Sequence, residues 1–256
     1  MKHERRIRRR QLLKGTMGAV SLVALAGCDN LTQSNWFPAL LSRTEKLTER
    51  AQRAVTPVDA LAKEYGEADI SVVFPANGNT DPGTEAYADM ARNDFAGWNL
   101  LIDGLVTTPM LISLAAIKEM PARRQITRHD CVEGWSAIGK WTGVPLGDLM
   151  HKVRPLPKAR YAVFHCADVD DEGVSYYESM ALEDCYHLQT LLAYELNGKR
   201  LDIPHGAPLR LRIERQLGYK QAKYVERIEL VESLSGIAGG KGGYWEDQGY
   251  EWYAGI

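Results

Sequence analysis

The chain has 256 residues, of which 45% are hydrophobic and 25% charged, and a formal net charge of −2. Those values describe globular protein and exclude collagen-like, disordered and disulfide-scaffold classes. No uncharged apolar run reaches the roughly 18 residues that a membrane-spanning helix needs, and no internal repeat is present.

Residues 1–27 stand apart. Lys2, Arg5, Arg6, Arg8, Arg9, Arg10 and Lys14 set positive charge against Glu4 alone, and an uncharged run from Gly15 to Gly27 follows. A charged start, a short apolar middle and a small-residue end make an export signal. Its core, Arg9-Arg10-Gln11-Leu12-Leu13-Lys14, resembles the twin-arginine signal. Its end, Leu25-Ala26-Gly27-Cys28, resembles a lipobox, in which lipid is attached to the cysteine. The expectation is export of a folded protein, with a cofactor inserted beforehand, to a lipid-held position on the periplasmic side of the inner membrane. Asp29, just after the lipid position, agrees with inner-membrane retention. Without the signal, whose charge is +6, the chain carries −8 (−2 less +6). An acidic protein of this kind is a poor partner for nucleic acid.

Residues 28–69 read as a tether and an N-terminal helix. Leu47, Ala51 and Ala54 share one side of the charged stretch 44–54, and Pro57 ends it. Residues 75–84 are rich in turn formers and read as a loop, and the folded domain is placed at 70–256. Residues 98–103 read as a strand closed by Gly104, and 111–120 as a short helix stopped by Pro121. Pro145 opens a helix in which Leu146, Leu149, Met150 and Val153 recur on one face. Residues 161–166 form a short apolar strand. Leu209, Leu211 and Ile213 alternate with Arg210, Arg212 and Glu214, a half-buried strand pattern, and 224–231 is another strand. Strands and helices do not alternate regularly, so the fold class is α+β, with mixed sheets and short helices in a single domain.

Of the cysteines, Cys28 is assigned to lipid, which leaves Cys131, Cys166 and Cys185, an odd number. A Cys166–Cys185 disulfide stays open. The sequence has no haem-attachment motif, no ligand set for a four-cysteine cluster and no zinc-finger spacing. Cys131 sits in His129-Asp130-Cys131-Val132-Glu133-Gly134-Trp135-Ser136. A thiol flanked by His, Asp and Glu is by itself a nucleophile, a redox thiol or a packed small residue.

Four segments in order narrow those alternatives: Cys131-Val132-Glu133-x-Trp135, Trp141-x-Gly143-Val144-Pro145-Leu146, His205-Gly206-Ala207-Pro208-Leu209-Arg210, and Gly218-Tyr219-Lys220-Gln221-Ala222-Lys223-Tyr224. Together, over residues 98–232, they resemble the sulfite-oxidase-like molybdopterin-dependent oxidoreductases, nearest the periplasmic branch of methionine-sulfoxide-reductase catalytic subunits. The resemblance implies that fold and a molybdenum–molybdopterin cofactor, with Cys131 as the protein's metal ligand. A soft thiolate suits a metal already held by dithiolene sulfurs. It implies two-electron oxygen-atom transfer, reducing an S-oxide or N-oxide such as methionine sulfoxide, with the hard chemistry carried by the cofactor.

The resemblance also distributes roles. Glu133 becomes a proton relay, and Tyr177 a substrate-side tyrosine with Tyr176 beside it. Arg210 and Lys220 become anchors for the pterin phosphate, with Lys223 a further candidate, and Gly218 and Tyr219 let the backbone approach. Asn77 becomes a cofactor contact. Two positions depart from the branch: His205 stands in place of Asn, and Cys166 in place of Thr. Both are expected to face the pterin, His205 as a donor and Cys166 as a weak one. With no haem or cluster ligands in the chain, electrons are expected from a separate membrane haem-bearing subunit. Two other readings stand beside this one. A sulfite dehydrogenase of the same fold is disfavoured because Glu133 would repel sulfite and no Arg stands in Val132-Glu133-Gly134-Trp135, though Arg128 and Arg123 stay within reach of the site and keep the reading open. A non-catalytic envelope lipoprotein would need no redox partner.

Overall fold

A computed structural model describes residues 47–256; the signal, Cys28 and most of the tether lie outside the described residues. By contacts the chain divides into Met1–Ala51 and Gln52–Ile256, and every strand among the described residues falls in the second unit. Among the described residues, in chain order, the helices are α1 (47–55), α2 (Glu85–Arg92), α3 (Leu114–Glu119), α4 (Leu146–Val153) and α5 (Tyr244–Asp247). The strands are β1 (Asn99–Gly104), β2 (Met110–Ser113), β3 (Arg123–Asp130), β4 (Ser136–Pro145), β5 (Tyr161–Val169), β6 (Ser175–Ala181), β7 (Leu191–Leu196), β8 (Lys199–Arg200), β9 (Arg210–Arg212) and β10 (Val225–Val231).

They form two sheets. One runs β2-β1-β10-β5-β6 and is mixed, because β1 lies parallel to β10 while its other pairs are antiparallel. The other runs β3-β4-β7-β8, antiparallel, with β9 also paired to β7. A single hydrophobic cluster joins them: Leu100, Ile102, Phe164 and Ile228 from the first sheet, Trp141, Val144, Leu192 and Leu211 from the second. The α+β class with mixed sheets and short helices is the fold observed.

Helix α4 starts after Pro145, and its Leu146, Leu149, Met150 and Val153 are all fully buried, as the spacing predicts. Residues 111–120 are not one helix. Met110–Ser113 pairs with β1, and α3 begins only where Ser113 Oγ accepts the Ala116 N–H at 3.2 Å, an N-cap that stops the strand and starts the helix. On either side of residue 70 the backbone pairs with the second sheet: Tyr65 N–H donates to Ile126 O of β3 at 2.9 Å, and Ser71 N–H donates to Ile138 O of β4 at 3.0 Å. The strand at 209–213 is not half-buried: Arg210 and Arg212 are both 0% exposed.

The β4–β7 pairing shifts register between Thr142 and Gly143. A Cβ on Gly143 would run into the Leu192 carbonyl and the Ala193 backbone. Gly143→Ala is therefore expected to destabilise the protein by about 1–3 kcal/mol, the cost of overpacking. Urea unfolding checks this, and an unchanged midpoint contradicts it.

Candidate active site

β3 and β4 pair up to Asp130↔Ser136, so residues 131–135 form the tip of a hairpin. The tip is closed by its own backbone: Cys131 N–H donates to Trp135 O at 2.9 Å, and Gly134 N–H to Cys131 O at 3.1 Å. Gly134 has φ +90°, which glycine adopts at little cost. Asp130 braces the base, accepting from Arg128 Nε at 2.9 Å and Ser136 Oγ at 2.5 Å. Glu133 is held by both oxygens, from Trp135 Nε1 at 3.0 Å and more loosely from Gly78 N–H at 3.4 Å. Burial first, and then the Glu133 carboxylate against the effect of a backbone bond, leave the Cys131 thiol above its ordinary value.

The hairpin tip opens on a cavity of about 300 Å³, within the usual range for small-molecule sites. Asn77, Gly78 and Asn79 line it from the 75–84 loop, Asp168, Asp170, Val174 and Tyr176 from the β5–β6 hairpin, and Gly218, Tyr219, Gln221 and Lys223 from the turn before β10. Tyr244, Trp245 and Tyr250 complete the lining. Gly218 is required there: a Cβ would strike the imidazole of His129. That imidazole is buried, and its Nδ1 accepts from Arg212 Nη1 at 3.0 Å, so Nε2 carries the proton. Burial, then Arg212, hold His129 well below the usual value and therefore neutral.

Positive charge gathers on one side. Lys223 Nζ donates to two carbonyls, Asn79 O and Pro204 O, and is ion-paired with no carboxylate among the described residues. Burial and then Arg210 pull its pKa down to about 7. Arg210 lies behind the lining, donating to Asn77 Oδ1 at 3.0 Å and His205 O at 3.2 Å, with Nε unpartnered. Burial, then Arg212, bring its pKa down to about 9. Asp168 also lines the cavity; Oδ2 accepts from Asn79 at 3.1 Å, Oδ1 has no partner, and burial raises the carboxyl to about 6.

Of the residues expected from sequence, Cys131, Glu133, Asn77, Gly218 and Tyr219 come together at this cavity, with Arg210 reaching it through Asn77. Four do not. Lys220 is locked between Glu178 and Glu246, all at most 1% exposed, and those two carboxylates hold its pKa up despite burial. With its charge answered by two carboxylates and its side chain 1% exposed, this ammonium is neither free nor accessible to a phosphate. Tyr177 donates to Asp247 Oδ2 at 2.5 Å, and strand alternation puts Tyr176 on the cavity side instead. His205 spends both ring nitrogens on Asp202 Oδ1 (2.6 Å) and Phe74 O (2.9 Å). Cys166 is packed inside β5, its Sγ toward Phe164 O, with its thiol pushed well up by burial. Cys131, Cys166 and Cys185 are all free, so the Cys166–Cys185 bond is not formed.

Sequence reading missed Asp168 and Asn79, took the C-terminal aromatics Tyr244, Trp245 and Tyr250 for a segment packed back onto the domain rather than a cavity lining, and gave Lys223 less weight than Lys220. The signal for Lys223 was present, since both lysines fall in one motif.

Two buried cations without anions of their own, and a glycine cradle, fit an anionic ligand. Among the described residues no three His, Cys, Asp or Glu side chains are grouped to hold a metal ion. A metal on Cys131 therefore needs further donors from the ligand itself, as a dithiolene supplies. These residues fit a metal-bearing, phosphate-bearing organic cofactor.

Residues 87–236 match the oxidoreductase molybdopterin binding domain family, and the chain belongs to that family. It is a molybdopterin-dependent oxidoreductase of the sulfite-oxidase-like class. It is 34% identical over 249 residues, 96% of this chain and 87% of the relative, to the putative protein-methionine-sulfoxide reductase subunit YedZ1 of Azospira oryzae. It is 36% identical over 147 residues, 54% of this chain and 46% of the relative, to the protein-methionine-sulfoxide reductase catalytic subunit MsrP of Xanthomonas campestris pv. campestris. The sulfane dehydrogenase SoxCD of Paracoccus pantotrophus aligns with 53% of this chain and 38% of its own, at 21% identity and a TM-score of 0.48.

The buried ammonium makes a signed prediction. Below about pH 7 Lys223 is charged in folded and unfolded protein alike, and the cost of its burial is fully felt. Between about 7 and the ordinary lysine value of about 10.4 the folded form sheds its proton and the cost fades. Arg210, Asp168, Glu133 and Asp202 are the charges that act on it. Lys223→Met is expected to raise the melting temperature of cofactor-free protein by about 3 °C near pH 6, equivalent to about 1 kcal/mol. The gap should close toward alkaline pH, and thermal scans across pH that show a constant gap contradict the assignment.

Proposed function

We propose that this protein is the catalytic subunit of a periplasmic methionine sulfoxide reductase, with Cys131 as its metal ligand. The observation that carries this reading is the Cys131 hairpin opening on a cavity that also holds Lys223, with Arg210 behind it, both buried and neither ion-paired among the described residues. The names of the two curated relatives support the substrate. When bound, the molybdenum–molybdopterin group supplies two-electron oxygen-atom exchange with a sulfoxide.

The chain's own residues do the rest. Cys131 gives the soft donor and fixes the cofactor's position at the hairpin tip. Lys223, and Arg210 through Asn77, supply positive charge for the cofactor's phosphate. Gly218 lets the backbone close on it. Glu133, oriented by Trp135 and Gly78, moves a proton when sulfoxide oxygen leaves as water. Sulfite oxidation is the lesser reading, because Glu133, Asp168 and Asp170 place carboxylates around a cavity that would have to admit a dianion.

The first 28 residues support the proposed cellular setting, twin-arginine export of the folded protein and a lipid on Cys28, and the likeness to a reductase named as a catalytic subunit supports a separate membrane haem-bearing subunit as electron donor. The folded domain is proposed to occupy the rest of the chain after the tether.

Purified, loaded protein is expected to contain about one molybdenum per chain and to reduce methionine sulfoxide faster than it oxidises sulfite. Cys131→Ser should cost at least about 100-fold in activity, beyond the loss typical of a residue that only supports a metal ligand. Metal analysis with both steady-state assays decides this, and a fully active Cys131→Ser protein refutes it. Cys28→Ser should move the protein from the membrane fraction to the soluble periplasmic fraction, and continued sedimentation with membranes refutes the lipid anchor.

A further inference from the structure

One wall of the cavity is aromatic, and the mechanism above uses none of it. Tyr244 stacks on Tyr176 at 5.6 Å between ring centroids, Trp245 stacks on Tyr250 at 5.2 Å, and Tyr250 meets Tyr219 edge-on at 5.2 Å. Trp245 and Tyr250 keep 36% and 40% of their surface exposed although they line the cavity. Large aromatic faces left open at a cavity are available to a ligand.

The wall is held rigidly. Within α5, Glu246 bonds the buried Lys220 at 2.5 Å, and Lys220 also pairs with Glu178 of β6. Asp247 accepts from Tyr177 OH at 2.5 Å, Gly239 N–H at 2.9 Å and Lys241 N–H at 3.1 Å. Tyr244 OH donates to Asp170 Oδ2 at 2.7 Å. Lys220 thus clamps the aromatic segment, and a preformed wall loses little entropy on binding.

The charge around the wall selects among ligands. With Lys223 and Arg210 engaged by the cofactor, the charged groups left on the lining are the carboxylates Glu133, Asp168 and Asp170. An acidic, aromatic site repels anions and favours a neutral or cationic molecule with alkyl flanks, which pack on π faces beside a polarised sulfur.

We infer that Trp245 and Tyr250 are the specificity-determining wall for substrate, packing on the alkyl body of a neutral or cationic sulfoxide larger than dimethyl sulfoxide, such as a methionine sulfoxide side chain in a polypeptide. The inference rests on the reductase reading and adds to it which residues choose among sulfoxides.

The test uses molybdenum-loaded enzyme, N-acetyl-methionine sulfoxide methylamide as the peptide mimic, and dimethyl sulfoxide as the small substrate. Trp245→Ala and Tyr250→Ala are expected to raise KM for the peptide mimic about tenfold, with kcat within about twofold. Both constants for dimethyl sulfoxide should hold within about twofold, and Trp245→Phe should restore most of the loss. Equal losses on both substrates, or no change on either, overturn the wall. Loaded wild-type enzyme that reduces neither sulfoxide overturns the reductase reading instead. In that event tryptophan fluorescence still reads binding of the mimic to the oxidised enzyme. A Kd about tenfold weaker in Tyr250→Ala supports the wall, and an unchanged Kd, or no binding in the wild type, overturns it.

Discussion

Arg210 and Arg212 project from β9 at 0% exposure, and both guanidinium groups lie over the Trp141 ring, 5.2 and 4.2 Å from its centroid. Taking a cation out of water costs several kcal/mol unless it is answered. Arg212 is answered: it bonds both oxygens of Glu214, at 3.0 and 2.6 Å, and donates to His129. Arg210 has only neutral partners, Asn77 and the His205 carbonyl. The interior therefore holds one compensated arginine that ties β9 to β3, two residues before Cys131, and one arginine with neutral partners only, whose charge sits behind Asn77 at the cavity lining.

The consequences run through stability and function together. Arg210 lowers the pKa of Lys223, and both cations are strained by burial until an anion arrives. A ligand that brings that anion binds the folded chain alone and stabilises it by mass action. The same arrangement gives the cavity a polarity. Cations lie on the Lys223 side, and carboxylates and aromatic rings occupy the remaining lining. Lys220, only three residues from Lys223, works on the other side of this division, neutralised by Glu178 and Glu246 to fix α5. Two lysines in one motif thus end in opposite states, one without a carboxylate partner among the described residues and one paired twice.

Much of the fold was legible along the chain. The four apolar positions of α4 declare its buried face, Pro145 declares its start, and the irregular order of strands and helices excludes a doubly wound sheet. The Cys131 motif was legible because it is local, with thiol, carboxylate and indole within five residues, but the β3–β4 hairpin that presents it was not read from the sequence. Where the sequence reading failed, the deciding partner was distant. Alternation at 209–213 separates two faces of a strand, but Trp141 and Glu214 make both faces interior. Tyr176 and Tyr177 are indistinguishable until pairing with β5 sets which one turns to the cavity.

The sequence alone determined the class of chemistry and the α+β architecture, and singled out Cys131 as the candidate ligand, because those depend on residue type, short spacing and periodicity. Only the tertiary structure decided which cations stay unpaired, which tyrosine faces the cavity and which aromatic rings close it. The physical reason is that a buried charge is defined by what surrounds it. For Lys220 the nearer of its two partners in the chain is 26 residues away, and for Lys223 it is the absence of such a partner among the described residues that matters.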